Sequence, residues 1–329
     1  MSVGQFLKRF IQKGSDSLPE KQSFALIEPA GFSLKLAKKQ YYDYLFAGSL
    51  ETTLTVPQKL VIEMTANHLR KKEHRIHSVP RLPSIIPKLL RSLRDPDSSA
   101  KDYVEIINKD PAMSAAVLKL ANSAYFNPIA ANIDEIDRAV VKLGIQGLRS
   151  VLSAAVMQPI IQRDSPYFNQ TGQRLWMHSL NCAVACEVIG GARKMDRYKV
   201  YLMGLVHDIG KIALFSELCK QFKLNGEQQP PSVNAFMPLM KKLSSQLSYL
   251  IACDWELPGD ICEALKQQIG LTEETVFTCY GHVLYQANLA TEFYAVTPKN
   301  KRQQLDPILE TLRLPPDLWE KLDSVSTQL

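Results

Sequence analysis

Tyr201 to Val206 is apolar or small at every position, and the next two residues are His207 and Asp208. A helix that is apolar on all sides lies inside a core. The chain must therefore bury this segment and then house an imidazole and a carboxylate at its end. A polar group buried without a partner costs roughly 2–7 kcal/mol. A metal ion, a counter-charge or a hydrogen-bond network has to offset that cost. Adjacent helical residues point about 100° apart, yet one imidazole and one carboxylate can still converge on an ion between them. Gly210 then offers a natural place for the helix to stop or bend.

Elsewhere the apolar spacing is helical. Pro57 opens a helix through Leu60, Val61, Met64 and Leu69, and Asp110-Pro111 pairs a capping carboxylate with proline at a first helical position. Asp95 to Ser99 reads as a turn. No strand pattern or internal repeat is visible, so the expected fold is an all-α, multi-helix bundle. No run of 18 apolar residues occurs, so no transmembrane helix is expected. The six cysteines, with no secretion signal, imply reduced thiols and a cytoplasmic location. Cys182 and Cys186 share a helix face and read as buried small hydrophobes.

The net charge of +6 is uneven. Residues 1–77 hold 12 Lys/Arg and 7 Asp/Glu, whereas the remaining 252 hold 27 and 26. In that front segment Val3, Phe6, Leu7, Phe10 and Ile11 form one helical stripe. Ser15 to Gly31 reads as a mobile loop, and residues 33–47 form an amphipathic helix packed on the bundle. Arg70 to Arg75 closes the helix begun at Pro57 with positive charge. Membrane contact by the first helix is the less favoured use of its charge. The nearly neutral remainder argues against nucleic-acid binding.

Several short motifs recur in one order: Ile107-Asn108-Lys109-Asp110-Pro111, Leu118 to Ser123, Ala139 to Gly144, Leu148-Arg149-Ser150, Trp176-Met177-His178-Ser179, His207-Asp208-Ile209-Gly210-Lys211 and Trp255-Glu256-Leu257-Pro258. Each is weak alone, but the ordered set resembles an HDOD domain, a bacterial signalling relative of the HD superfamily of metal-dependent phosphohydrolases. The resemblance covers about residues 78–292. It divides the chain into a basic helical extension (1–77), the HDOD domain (78–292) and a C-terminal helical segment (293–329) packed on it.

The resemblance implies an HD-like bundle and a ligand set of a first histidine, the His-Asp doublet and a late aspartate. His178, His207 and Asp208 match the first three positions. The fourth is Asn288, whose amide oxygen brings no charge. Relatives with two metals add histidines near positions occupied here by Ser244 and Gln268. A two-metal phosphodiesterase centre is therefore not expected. No cofactor is expected either, with one weakly held divalent ion at His178, His207, Asp208 and Asn288 as the exception left open. Otherwise these side chains form a buried polar network. Lys211 matches a lysine beside the doublet in related phosphodiesterases, and without metals reads as a charge at a helix C-terminus. His282 reads as a surface or helix-end histidine; His68, His74 and His77 fit no ligand spacing. The implied function is a non-catalytic signalling or scaffold module whose partners are signalling proteins. The alternative is a metal-dependent phosphohydrolase.

Overall fold

The computed structural model describes residues 33–46, 54–78, 83–87, 100–129, 132–161, 169–226, 233–272 and 274–326. The expected first helix, the Ser15–Gly31 loop and the Asp95–Ser99 turn lie outside them. Among the described residues the chain is all-α, as its periodicity implies, with no strand.

The helices are α1 (Leu34–Leu45), α2 (Val56–Arg70), α3 (Lys72–Ser78), α4 (Ala100–Asn108), α5 (Pro111–Ala121) and α6 (Ile136–Ile161). Then come α7 (Asn169–Ala192), α8 (Arg197–Val206), α9 (Ile209–Leu224), α10 (Val233–Asp254), α11 (Gly259–Lys266) and α12 (Cys279–Val296). A 3-10 turn (Lys299–Leu305), α13 (Asp306–Leu312) and α14 (Leu318–Ser326) are the last described elements.

At the centre α8 lies along α7, α9 packs on α10, and α12 crosses α7. From Tyr198 to Val206 every residue of α8 except Lys199 is buried. Cys182 and Cys186, on the facing side of α7, are buried thiols. Two glycines set the closeness of these packings. A Cβ at Gly204 would lie 2.6 Å from the carbonyl oxygen of Cys182, and one at Gly210 would lie 2.1 Å from that of Ser244.

Gly210 does not end the apolar helix. The break falls earlier, at His207 and Asp208, and Gly210 is the second residue of α9. Its missing side chain serves the approach of α10, whose Ser248 hydroxyl accepts a hydrogen bond from the Gly210 amide at 3.0 Å.

Local chemistry explains the helix ends. Thr55 and Gln58 form a reciprocal capping box at the start of α2, with Pro57 inside its first turn. Asp110 caps α5 by accepting from the amides of Ala112 and Met113. α6 is long and apolar enough to cross a membrane by length and composition. It is, however, two helices joined at Gly144 (φ 64°, ψ 177°), and it packs within the bundle against α4, α5 and α8.

The described front helices are part of the bundle. α1 lies on α12 and α7, burying Tyr41, Tyr42, Leu45 and Phe46, while α2 lies on α9 and α10. The charge run from Arg70 to Arg75 spans the end of α2 and most of α3. Within it Arg75 is buried and bonded to Asp254 at 2.8 Å, tying α3 to the end of α10.

Candidate metal centre and its cleft

Three connected elements deliver the central side chains. His178 is on α7, His207 and Asp208 form the turn between α8 and α9, and Asn288 is on α12. His178, His207 and Asp208 are all buried, and their donor atoms lie within 4.8 Å of one another. At the break His207 keeps helical backbone angles (φ −57°, ψ −31°) while Asp208 departs from them (φ −103°, ψ 13°), and both side chains reach the same cluster.

The donor atoms form a tight cluster. His207 Nε2 lies 3.3 Å from His178 Nε2 and 3.1 Å from Asn288 Oδ1, and His178 Nε2 lies 3.0 Å from the same oxygen. Asp208 Oδ2 is 3.5 Å from His178 Nε2 and 3.4 Å from His207 Nε2. Bonds of about 2.0–2.2 Å at tetrahedral angles would put neighbouring donors about 3.3–3.6 Å apart. The three separations among His178, His207 and Asp208, 3.3 to 3.5 Å, fit one small divalent ion, while the two to Asn288, 3.0 and 3.1 Å, are hydrogen-bond distances shorter than that spacing. The Nδ1–H of His207 donates to the Gly204 carbonyl at 2.7 Å, the orienting bond that metal-bound histidines commonly make.

The charges tell a different story. Lys211 is not at a helix C-terminus. It lies in the first turn of α9, is buried, and donates to Asp208 Oδ2 at 2.7 Å. Its ammonium also faces the rings of Tyr41 and Tyr42 at 5.2 and 5.9 Å. The single carboxylate of the donor set thus already has a cation, on the same oxygen that faces the histidines. Asn288 adds no charge, and its amide reaches toward Glu292 Oε1 at 3.4 Å. Glu292 is buried, which raises its pKa.

The two histidines titrate in opposite directions. Burial lowers His178 to about 3, and the neighbouring Asp208 only partly opposes it. Burial also pulls on His207, but Asp208 and Cys182 outweigh it and hold its pKa up at about 9. Burial opposes ionisation of Asp208 too, yet His207 and Lys211 keep it well below the usual carboxylate range. At neutral pH without metal, the centre is a neutral His178 beside a charged His207, Asp208 and Lys211.

This arrangement fixes how stability follows pH in chelated buffer. Below the ordinary 6.5 the unfolded chain protonates His178 while the folded chain does not, so stability falls as pH drops from 6.5 toward 3. The His207 contribution is complete below 6.5 and is lost as pH rises through about 9. Urea midpoints of the chelated protein should therefore fall on both sides of a maximum near pH 6.5. His207→Ala should flatten the alkaline limb and cost about 1–3 kcal/mol near neutrality, because its partners lose a hydrogen bond. An alkaline limb unchanged in the variant would refute this assignment.

A cleft of about 320 Å³ opens over the centre, lined by His207, Asp208, Lys211 and Asn288. Ser244 and Gln268, the positions matched to the extra histidines of two-metal relatives, line the same cleft. Both residues thus lie at the cleft, and neither offers an imidazole. His282 is in the first turn of α12, where its Nδ1 lies 3.3 Å from Arg193 Nη1. His68 and His74 stack on each other at 4.2 Å.

Sequence reasoning did not find Tyr41, Tyr42 and Glu292. The Tyr41 ring lies 4.7 Å from that of His178, so the extension supplies part of the wall of the centre. Glu292 carries a readable signal, being one helical turn beyond Asn288. The tyrosines carry none beyond their place on an amphipathic helix.

The comparisons with known proteins agree with the motif order. The HDOD domain family model matches residues 79–269. An uncharacterized protein of Treponema pallidum (strain Nichols) is 25% identical over 224 residues, which are 65% of this chain and 42% of that protein. The chain thus spans less than half the length of this relative. Among solved structures, an HDOD domain protein of unknown function from Geobacter sulfurreducens aligns with a TM-score of 0.57 at 19% identity, covering 83% of this chain and 98% of that one. A protein of Shewanella amazonensis SB2B, named as a candidate metal-dependent phosphohydrolase, aligns with a TM-score of 0.57 at 20% identity, covering 81% and 98%. With the family model covering more than half of the sequence and the shared fold extending beyond it, the chain belongs to the HDOD domain family.

Proposed function

We propose that this chain is a non-catalytic HDOD module that works through contacts with signalling proteins in the reducing cytosol. The observation that carries the reading is Asn288 in the donor set, 3.0 and 3.1 Å from His178 and His207, which leaves Asp208, itself paired with Lys211 at 2.7 Å, as the one carboxylate. Metal-assisted phosphoryl chemistry needs ions that polarise an oxygen and generate a nucleophilic water. Here the one carboxylate of the centre is neutralised from within, and Ser244 and Gln268 stand where a second ion would require imidazoles. The six unpaired cysteines support the cytosolic location.

The second reading, a metal-dependent phosphohydrolase, is favoured by the donor separations. If an ion binds, His178, His207, Asp208 and Asn288 would hold it, and it would supply Lewis acidity. The chain's own part is then to orient His207 through the Gly204 carbonyl and to keep the centre dry on the Tyr41 side.

Metal content of the purified protein, and hydrolysis of bis(p-nitrophenyl) phosphate and of a cyclic dinucleotide, separate the two readings. The non-catalytic reading expects substoichiometric metal and no turnover above the blank with added Mn²⁺ or Zn²⁺. Stoichiometric metal, with turnover abolished in Asp208→Ala, would overturn it.

A further inference from the structure

The cleft over the centre has a charge pattern that the buried network does not explain. On α1, Lys35, Lys38, Lys39 and Tyr42 are spaced i, i+3, i+4 and i+7, so they form one stripe, and all four line the cleft. Lys241 and Lys242 on α10 line it too. These five lysines are solvent-exposed, and none is in an ion pair among the described residues. Among the described residues the carboxylates lining the cleft are Asp208, already bonded to Lys211, and the buried Glu292, on which Lys38 acts.

The pattern works against α1 as it stands. Cations in a first turn oppose the helix dipole, and α1 has Lys35 there with no acidic residue to balance it. Like charges on α1 and α10 also repel across a shared cleft. The adjoining face of α1, with Ala37, Tyr41 and Leu45, holds it on the bundle against that repulsion. A bound anion would turn the repulsion into a bridge.

We infer that this cleft is a polyanion clamp: a compact ligand with two or more phosphoryl groups bridges the α1 lysines to Lys241 and Lys242, fastening α1 over the His178–His207–Asp208 centre. Lys38 acts on Glu292, and the four remaining ammonium groups still exceed what one phosphate group, at about −1.5 to −2, would balance. The volume suits a small ligand rather than a folded partner, since pockets for small molecules begin at about 300 Å³. The inference rests on the non-catalytic reading in one respect: the ligand is held and not cleaved.

The test uses the full chain with pyrophosphate as the probe, followed by calorimetry and by hydrogen exchange of the α1 amides. Pyrophosphate should bind, more weakly as salt is raised, and should slow exchange in α1. Lys38→Glu/Lys39→Glu and Lys241→Glu/Lys242→Glu should each weaken binding roughly tenfold or more, the loss of one or two charge-assisted contacts. Both pairs are exposed and the substitutions relieve the repulsion between lysines, so neither variant should melt below the wild type in phosphate-free buffer.

No binding at millimolar pyrophosphate, binding indifferent to the α10 pair, or binding without slower α1 exchange would each overturn the clamp. Citrate binding as tightly as pyrophosphate would overturn the phosphoryl assignment. Release of orthophosphate from the probe would instead sink the non-catalytic reading and leave the clamp standing.

Discussion

Adding one methyl group at Gly204 or at Gly210 is expected to destabilise the protein by about 3 kcal/mol or more, the upper end of overpacking costs. A Cβ at Gly204 meets the Cys182 carbonyl at 2.6 Å and the Ala183 Cα at 2.7 Å; at Gly210 it meets the Ser244 carbonyl at 2.1 Å and the Ser248 amide nitrogen at 2.5 Å. These atoms are backbone, so no rotamer change can relieve the contact. Whole helices would have to separate, α8 from α7 in one case and α9 from α10 in the other. Both glycines flank the His207–Asp208 turn, so the close approach also fixes where the two side chains emerge. Gly259→Ala is the matched control, because a Cβ there meets nothing within 4 Å. Urea melts decide the matter. Midpoints for Gly204→Ala and Gly210→Ala that coincide with the Gly259→Ala control would show that the helices can part cheaply.

Much of this architecture was legible because its signals are local. Apolar spacing, Thr55 with Gln58, and Asp110 with Pro111 each act within one helical turn, so the all-α class and several helix starts follow from the order of residues alone. The central cluster was legible for another reason. His178, His207, Asp208 and Asn288 keep the spacing of the HDOD motifs, and the structure brings all four together. What failed was the reading of neighbours. Lys211 looked like a helix-end charge because the helix was expected to break at Gly210. With the break at 207–208, residue 211 falls in a first turn, three residues after Asp208, and its ammonium swings back onto the carboxylate. Tyr41 and Lys38 are far away in sequence, and only the docking of α1 on α12 and α7 brings them to the centre. No pattern within residues 33–47 encodes that destination. Arg75 shows the same limit: it belongs to a basic run, yet it is buried against a carboxylate 179 positions later.

Lys211→Met is expected to have the second large effect, and its response to metal separates the roles of the pair. Breaking a buried ion pair by removing one partner costs about 3–5 kcal/mol, because the remaining charge stays desolvated. The loss here should lie near the lower end, about 3 kcal/mol, since the charged His207 still faces Asp208 Oδ2 at 3.4 Å. Removing both partners in Lys211→Met/Asp208→Leu should recover most of that loss, as replacement by apolar groups of similar size leaves no stranded charge. The single variant also frees the oxygen that completes the donor set. Divalent metal should then stabilise Lys211→Met more than the wild type; at a hundredfold excess over its own dissociation constant the variant gains about 2.7 kcal/mol. Binding must displace the proton from His207, so the gain should grow as pH rises toward about 9. Thermal melts of wild type, single and double variants, with chelator and with Zn²⁺ or Mn²⁺, read all of this together. A single variant as stable as the wild type in chelator would remove the Lys211–Asp208 pair from the account of the fold. Equal metal shifts in both proteins would show that Lys211 does not compete for the carboxylate, and the non-catalytic reading would rest on Asn288 alone.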